Sequence, residues 1–191
     1  MVPFDDELSA VGVLVVPYQT GWPAEFERLG GSLASVLGPV ARRIDHVGST
    51  SVPGLAAKDC LDVQISVDDV AEPSIDALMV GVGYRQRPEP WNHVERAFGV
   101  ASSKLVYAPP VGARAVNIHV RGLGGAGARY TLLFRDYLRA EPAARDTWSA
   151  FKLRLAQSVP DIYDYGQIKT PATEMLMQAA VRWADATGWT P

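Results

Sequence analysis

Residues 45–67 read DHVGSTSVPGLAAKDCLDVQISV, and this stretch decides the fold. A segment rich in Gly, Ser, Thr and Pro separates two extended runs, which is typical of a turn between strands. In the second strand, predicted over residues 60–67, leucine, valine and isoleucine side chains alternate with the polar set Cys60, Asp62, Gln64 and Ser66. The stretch therefore predicts a strand–turn–strand unit with one apolar and one polar face.

The segment RAVNIHVRG at residues 114–122 repeats this alternation, with Asn117, His119 and Arg121 on its polar face. Strands buried on both faces are apolar throughout, so two half-polar strands indicate a sheet with helices mainly on one face. We expect the other face to be open and to carry both polar rows. A first strand at about 41–47 and a hairpin at 95–100 and 104–107 complete the predicted mixed sheet.

Helical spacing of apolar residues predicts one helix after Pro23, a second over residues 73–81, and three more after about residue 126. For the last of these we expect Thr170 as N-cap and Pro171 at the first helical position. Its buried side is predicted from the spacing of Ile168, Met175, Ala179 and Trp183. The segment GYRQRPEPW, residues 83–91, is predicted to be a loop because it contains two prolines.

The chain is interpreted as a single α/β domain over residues 1–191, with an α/β core at about 18–125 and a C-terminal helical segment at about 126–188. Its 48% hydrophobic and 20% charged residues are ordinary for a globular protein. The net charge of −3 argues against general nucleic-acid binding. The composition does not specify an oligomeric state.

Compartment signals favour a cytoplasmic protein. One cysteine, Cys60, excludes an intramolecular disulfide and indicates a reducing environment. The N-terminal sequence MVPFDDELSA is acidic, unlike a signal peptide, and no run of residues is long and apolar enough to span a membrane. We therefore expect no membrane partner.

The stretch at 45–67 resembles the GrpB family, and so do VNIHVRG at 116–122, LLFRDYLRAEP at 132–142 and YDYGQIKTPATE at 163–174. The resemblance covers most of the chain and implies a nucleotidyltransferase-like α/β fold. Similar domains lie at the C-terminus of actinobacterial dephospho-CoA kinases, where the appended domain is thought to assist or regulate the kinase. The sequence itself contains no G-x-x-x-x-G-K-[ST] motif, so no P-loop kinase is predicted within it.

In nucleotidyltransferases an apolar residue and Gly-Ser precede a strand that carries two acids two positions apart. The glycine admits phosphate, and the two acids hold Mg²⁺. Here Gly48 and Ser49 match the turn, Asp62 follows after twelve intervening residues, and Gln64 stands at the second acid. The resemblance implies that Gly48 and Ser49 bind phosphate and that Asp62 is a catalytic residue holding a single Mg²⁺.

Further residues are predicted to contact a phosphorylated ligand by their charge, their strand face or their place in the family segments. Arg121 suits bidentate phosphate binding, and His119 is the candidate catalytic acid or base. The full set of predicted contacts is Gly48, Ser49, Thr50, Lys58, Gln64, Arg96, Asn117, Arg121, Arg135 and Lys169. Simpler roles stay open: polar turn caps for Thr50, a solvated loop for Lys58, and helix-to-sheet anchoring for Arg135.

The leading functional prediction is a nucleotidyltransferase-like protein that binds a nucleotide or another phosphorylated small molecule, with nucleotidyl transfer through one Mg²⁺ as the reaction implied by the resemblance. One alternative is a non-catalytic binding or regulatory partner of an enzyme of CoA metabolism. Another is an enzyme of different chemistry that uses His119 in the same cleft. The sequence leaves all three open.

Overall fold

The computed structural model describes residue 4 and residues 12–191. Its strands are β1 (Arg43–Val47), β2 (Leu61–Val67), β3 (Arg85–Gln86), β4 (Val94–Ala97), β5 (Val100–Ala108) and β6 (Val116–Gly122). Its helices are α1 (Trp22–Leu37), α2 (Pro73–Gly81), α3 (Ala126–Ala140), α4 (Pro142–Ser158) and α5 (Ile162–Thr187). Short 3₁₀ turns cover 38–40, 49–51 and 90–92.

The strands form a mixed sheet in the order β1-β2-β6-β5-β3, and β4 extends β5 as a hairpin. β2 and β6 pair in parallel, whereas β1, β3 and β4 pair antiparallel to their neighbours. The mixed α/β architecture predicted from the sequence is confirmed. No helix in the described part of the chain is long and apolar enough to cross a bilayer.

The main hydrophobic core lies between the apolar face of the sheet and helices α1 and α2. Side chains of β2 and β6 such as Val63 and Ile118 are fully buried there against Leu33 of α1 and Met79 of α2. Burial of such side chains stabilises each by about 1.5–3 kcal/mol, which fixes the strand register. The polar residues of the same strands must therefore face the other way.

The C-terminal helical segment packs over the polar face of the sheet. A second core joins α3, α4 and α5 around Leu133, Trp148 and Ala180, and it includes Val52 and Leu55 from the loop after β1. The expectation of an open polar face is wrong where α3 crosses it, because Gln64 is completely buried there. The amide of Gln64 is hydrogen-bonded to Thr131 and Ala128 of α3 and to Arg121 of β6, which is why a polar residue is tolerated under a helix.

The predicted start of the last helix is wrong. α5 begins at Ile162, where the Asp161 carboxylate accepts hydrogen bonds from the backbone N–H groups of Tyr163 and Asp164. Pro171 lies inside the helix, although an interior proline costs about 3 kcal/mol, and the Thr170 hydroxyl donates to the Gly166 carbonyl instead of capping. Packing of the whole helix therefore outweighs the local signal.

The predicted buried side of α5 also needs correction. Ile168 and Met175 are exposed, while Tyr165, Met177 and Ala180 are buried. Two further predictions shift slightly: residues 83–91 contain the short strand β3, and Cys60 precedes β2 rather than lying in it. A two-residue strand has no periodicity from which to predict it.

Candidate functional site

A cleft of about 360 Å³ opens between the polar face of the sheet, the β4–β5 hairpin, and helices α3 and α5. Six of the residues predicted from the sequence line it: Gly48, Ser49, Asp62, Arg96, Arg121 and Lys169. Ligand sites commonly have volumes of about 300–1,000 Å³, so the cleft is large enough for a small molecule. Thr50, Lys58, Gln64, Asn117, His119 and Arg135 do not line it.

The parallel pairing of β2 with β6 places the two predicted polar rows on one face. Asp62 lies opposite Asn117, and Gln64 lies opposite His119. The Asn117 side-chain amide donates to Asp62 Oδ1 at 3.1 Å. Asn117 therefore orients the carboxylate that faces the cleft, and its role as a direct ligand contact stays a prediction.

Gln64 is a hydrogen-bond centre under α3. Its Oε1 accepts from the Thr131 hydroxyl at 2.5 Å and from Arg121 at 3.2 Å, and its Nε2 approaches the Ala128 carbonyl at 3.5 Å. A carboxylate at position 64 would be buried among the same three groups: the Thr131 hydroxyl, the Arg121 guanidinium and the Ala128 carbonyl. The glutamine thus connects sheet, helix and the Arg121 side chain.

Arg121 already has a strong partner. Its guanidinium donates to both carboxylate oxygens of Glu95 at 2.7 and 3.0 Å, and Lys104 lies 3.6 Å from the same carboxylate. Burial tends to raise the pKa of Glu95, but Arg121 and Lys104 outweigh it, so the pKa of this carboxyl lies below its usual range. An anion in the cleft would therefore share Arg121 with Glu95.

The turn after β1 passes directly against Asp62. Gly48 has φ +69°, and a Cβ added there would lie 2.2 Å from Asp62 Oδ2 and 2.8 Å from the Asp62 Cβ. The Ser51 hydroxyl donates to the Gly48 carbonyl at 2.6 Å, and Arg139 of α3 donates to the Ser51 carbonyl. A glycine is needed here because any side chain would collide with the Asp62 carboxylate. Phosphate contact with Gly48 stays a prediction.

Thr50 and Arg135 hold the turn from outside the cleft. The Thr50 hydroxyl lies 2.9 Å from His46 Nε2, and Arg135 of α3 donates to the His46 carbonyl at 3.2 Å. Burial, with Arg139 and Arg135 nearby, lowers the pKa of His46 to about 4, so this ring is neutral. The geometry matches the anchoring role that the sequence left open for Arg135.

His119 is packed inside the sheet between Gln64 of β2 and Val106 of β5. Its Nδ1 is buried without a hydrogen-bond partner among the described residues. Burial, followed by the charges of Arg121 and Lys104, lowers its pKa well below the ordinary value. The ring is therefore neutral and lies outside the cleft lining, which gives no support to an acid or base role.

One functional candidate escapes sequence reasoning. Lys152 of α4 is 1% exposed, and its Nζ has no hydrogen-bond partner among the described residues. Burial, together with the charges of Lys169 and Lys58 and against that of Asp62, lowers its pKa to about 6. On a helix with the sequence FKLRL, a lysine is ordinarily predicted to reach solvent. The sequence does show that lysine is rare in this chain, which has only four, at positions 58, 104, 152 and 169.

The residues around Asp62 do not fit a Mg²⁺ site. Mg²⁺ requires several oxygen ligands in near-octahedral geometry. Asp62 Oδ1 accepts from Asn117, Gln64 Oε1 accepts from Thr131 and Arg121, and the amines of Lys152 and Lys169 lie near Asp62. Within the residues that the structure describes, no cluster of three His, Cys, Asp or Glu side chains is able to hold a metal.

Comparison with known proteins gives a consistent family. The sequence-family model described as GrpB protein matches residues 12–179 of this chain. A UPF0157 protein of Halalkalibacterium halodurans is 32% identical over 172 positions, which cover 88% of this chain and 82% of that protein. The crystal structure of the conserved protein GrpB from Enterococcus faecalis has a TM-score of 0.73 and 27% identity, covering 89% of this chain and 99% of that one.

A dephospho-CoA kinase of Mycolicibacterium paratuberculosis is 34% identical over 216 positions, which cover 100% of this chain and 53% of the kinase. A dephospho-CoA kinase of Mycobacterium tuberculosis is 30% identical over 206 positions, covering 97% of this chain and 50% of the kinase. The chain therefore spans about half the length of these curated relatives.

Proposed function

The chain belongs to the GrpB family, and we propose that its cleft binds a phosphorylated small molecule, with a nucleotide as the first candidate. The observation that carries the proposal is the convergence of Ser49, Arg121 and Lys169 on one cleft of about 360 Å³. A hydroxyl, a guanidinium and an ammonium are the side-chain donors that proteins use for phosphate. No metal step belongs to this proposal, because the donor set around Asp62 does not suit Mg²⁺.

An aromatic rim favours a nucleotide over a bare phosphate. Tyr130 lines the cleft, and its ring centroid lies 5.6 Å from that of Phe98, which is 44% exposed at the tip of the β4–β5 hairpin. Stacking on an aromatic ring contributes about 1–3 kcal/mol per base. The two rings therefore offer a surface for a base at the mouth of the cleft.

Phe98 also occupies a strained position. It has φ +51° and Gly99 has φ +79°, and Ala97 pairs with Val100 across this two-residue turn. Both central residues of a type I′ turn have positive φ, and asparagine is strongly preferred at the first of them. A phenylalanine kept where asparagine would be more stable supports a binding role for the ring.

We expect a thermal-shift screen of nucleotides, dephospho-CoA and other CoA precursors, and sugar phosphates to identify a ligand. A ligand at a hundred times its Kd stabilises the folded state by about 2.7 kcal/mol, which is readily measured as a rise in Tm. Dephospho-CoA belongs in the screen because some relatives are named dephospho-CoA kinase. If every compound leaves Tm unchanged at millimolar concentration, the proposed function is wrong.

Replacing Phe98 with asparagine tests the aromatic rim. The variant should be up to about 1 kcal/mol more stable without ligand, because asparagine suits the turn. It should also bind a nucleotide found by the screen about tenfold more weakly, because base stacking is lost. Unfolding curves and calorimetric titrations measure the two effects. Val111→Asn, which removes another exposed apolar side chain, is the matched control. Equal nucleotide affinity in Phe98→Asn and the parent would mean that the aromatic rim takes no part in nucleotide binding.

A second candidate function is a regulatory domain for an enzyme of CoA metabolism. It is favoured by the alignment, in which whole dephospho-CoA kinases carry this chain's counterpart as about half of their length. Titration of the chain with the remaining half of such a kinase tests it. Association without any small-molecule ligand in the thermal-shift screen would favour this role over the proposed one.

A further inference from the structure

Three of the chain's four lysines converge at one place although they come from distant parts of the sequence. Lys58 precedes β2, Lys152 lies on α4 and Lys169 lies on α5. The Nζ atoms of Lys58 and Lys169 lie 5.9 and 6.0 Å from the centre of the Tyr165 ring. Lys152 is close enough to both lysines, and to Asp62, for their charges to act on it. We call Lys58, Lys152 and Lys169 the lysine cluster.

The lysine cluster is not neutralised by the protein. In the described part of the chain, none of its three ammonium groups has a carboxylate within 4 Å, and Lys152 Nζ has no hydrogen-bond partner. Asp62 is the carboxylate whose charge acts on Lys152 and Lys169. With Asp62 ionised, the lysine cluster carries two surplus positive charges when Lys152 is protonated and one when Lys152 is neutral. A buried ammonium without a partner is costly, so Lys152 releases its proton in the ligand-free protein and would take it up when an anion binds beside it.

Residue choice supports the same conclusion. The chain has 18 basic residues and four of them are lysines, so arginine supplies most of its positive charge. Arginine carries out the structural pairing elsewhere, as in the bonds of Arg121 to Glu95 and of Arg139 to the Ser51 carbonyl. Lysine presents a compact charge with three rotatable donors, which suits a tetrahedral anion that is approached from several sides.

The lysine cluster reaches the cleft through Lys169. Lys169 lines the cleft together with Asp62, Gly48 and Ser49, so an anion entering there meets lysine ammonium and serine hydroxyl in the same space. A phosphomonoester carries a charge of about −1.5 to −2 at pH 7 and three acceptor oxygens. Its charge matches the two surplus positive charges that the lysine cluster carries once Lys152 is protonated.

We propose that Lys58, Lys152 and Lys169 form the anion subsite of the cleft and that this subsite takes a terminal phosphate dianion. The inference rests on the proposed function, since it names the part of the ligand that the protein holds most strongly. Lys169 contacts the phosphate at the cleft wall, and Lys152 supplies charge from the helix behind it. The buried ring of Tyr165 on α5 lies beside the ammonium groups of both Lys58 and Lys169.

Calorimetric titration of inorganic phosphate and of pyrophosphate into the full chain tests the subsite. The parent protein should bind both anions. Lys169→Met and Lys152→Met should each weaken binding about tenfold or more, because the first removes a donor at the cleft wall and the second removes the amine that takes up a proton beside the bound anion. Arg154→Met, which removes one exposed positive charge from the same helix as Lys152, should leave affinity within about twofold at constant ionic strength.

The outcomes separate the subsite from the proposed function. Loss of phosphate binding in both lysine variants, with melting transitions intact, supports the subsite even when no nucleotide binds. Nucleotide binding that is equal in the parent and in both lysine variants overturns the subsite and leaves the proposed function standing. Failure of the parent to bind either inorganic anion at millimolar concentration also overturns it.

Discussion

Replacing Lys152 with methionine should stabilise the ligand-free protein, by up to roughly 5 kcal/mol at pH 7. Burial, with Lys169 and Lys58 nearby, lowers the pKa of this ammonium from 10.5 to about 6. The unfolded chain therefore keeps a proton that the folded state must release at pH 7, and this difference opposes folding. Methionine has a similar length and no charge, so it removes the cost and fills the same space.

The sign of the pH dependence follows from the same difference. Below about pH 6 both states hold the proton on Lys152, and the cost of burying the charge is complete. Between about pH 6 and 10.5 the unfolded state binds more protons than the folded state, so the parent gains stability as pH rises. The advantage of Lys152→Met over the parent should therefore shrink steadily across this window.

Urea unfolding of both proteins at pH 6, 7.5 and 9 measures the effect. Arg154→Met is the control, because its exposed charge on the same helix should change stability by no more than about 0.5 kcal/mol at each pH. A Lys152→Met protein that is less stable than the parent at pH 6 would mean that the ammonium has a favourable partner. A gain that does not vary with pH would place the effect in packing rather than in charge.

Strands β2 and β6 and the two helices before the C-terminal segment were predictable because each carries a complete local signal, whereas β3 was missed and the predicted hairpin at 95–100 and 104–107 placed the turn too late in the chain. The alternation of β2 and β6 is fixed by apolar residues every second position, and α2 begins at Pro73 and ends at Gly81 as predicted. Burial of both apolar faces places the polar side chains of β2 and β6 on the same face of the sheet, and the parallel pairing then sets Asp62 opposite Asn117. The shared polar face was thus accessible from the sequence.

The position of the C-terminal helices was not accessible in the same way. α3 covers the sheet through contacts such as Thr131 to Gln64, which are 67 positions apart, and no periodicity reports such a pair. Pro171 gave a misleading start signal, because α5 tolerates it in return for packing along its length. Tertiary contacts decided both features.

The candidate site likewise contains residues that local sequence patterns predict and residues that they do not. Gly48, Ser49 and Asp62 lie on one continuous stretch with a family pattern, and they line one cleft. Lys152 was missed because FKLRL on a helix predicts a solvated lysine, and its charged neighbours lie far away in sequence. Alternation placed His119 on the polar face but did not show that it lies outside the cleft lining, and its acid or base role stays a prediction.

Gly48→Ala should destabilise the protein by at least about 3 kcal/mol, for two separate reasons. The backbone at Gly48 has φ +69° and ψ −167°, a region that is essentially restricted to glycine. An alanine Cβ would also lie 2.2 Å from Asp62 Oδ2 and 2.8 Å from the Asp62 Cβ, so the strand itself obstructs it. Urea unfolding monitored by far-UV circular dichroism measures the loss.

A control and a double-mutant cycle separate these two reasons. Gly124 has φ +70° and no atom within 4 Å of an added Cβ, so Gly124→Ala should cost only about 1 kcal/mol, from the backbone alone. Asp62→Gly removes the obstructing side chain, so in its background Gly48→Ala should cost at least about 1 kcal/mol less. Additive effects of the two substitutions would mean that the turn moves away from β2. The position of the turn would then not depend on the close contact between Gly48 and Asp62.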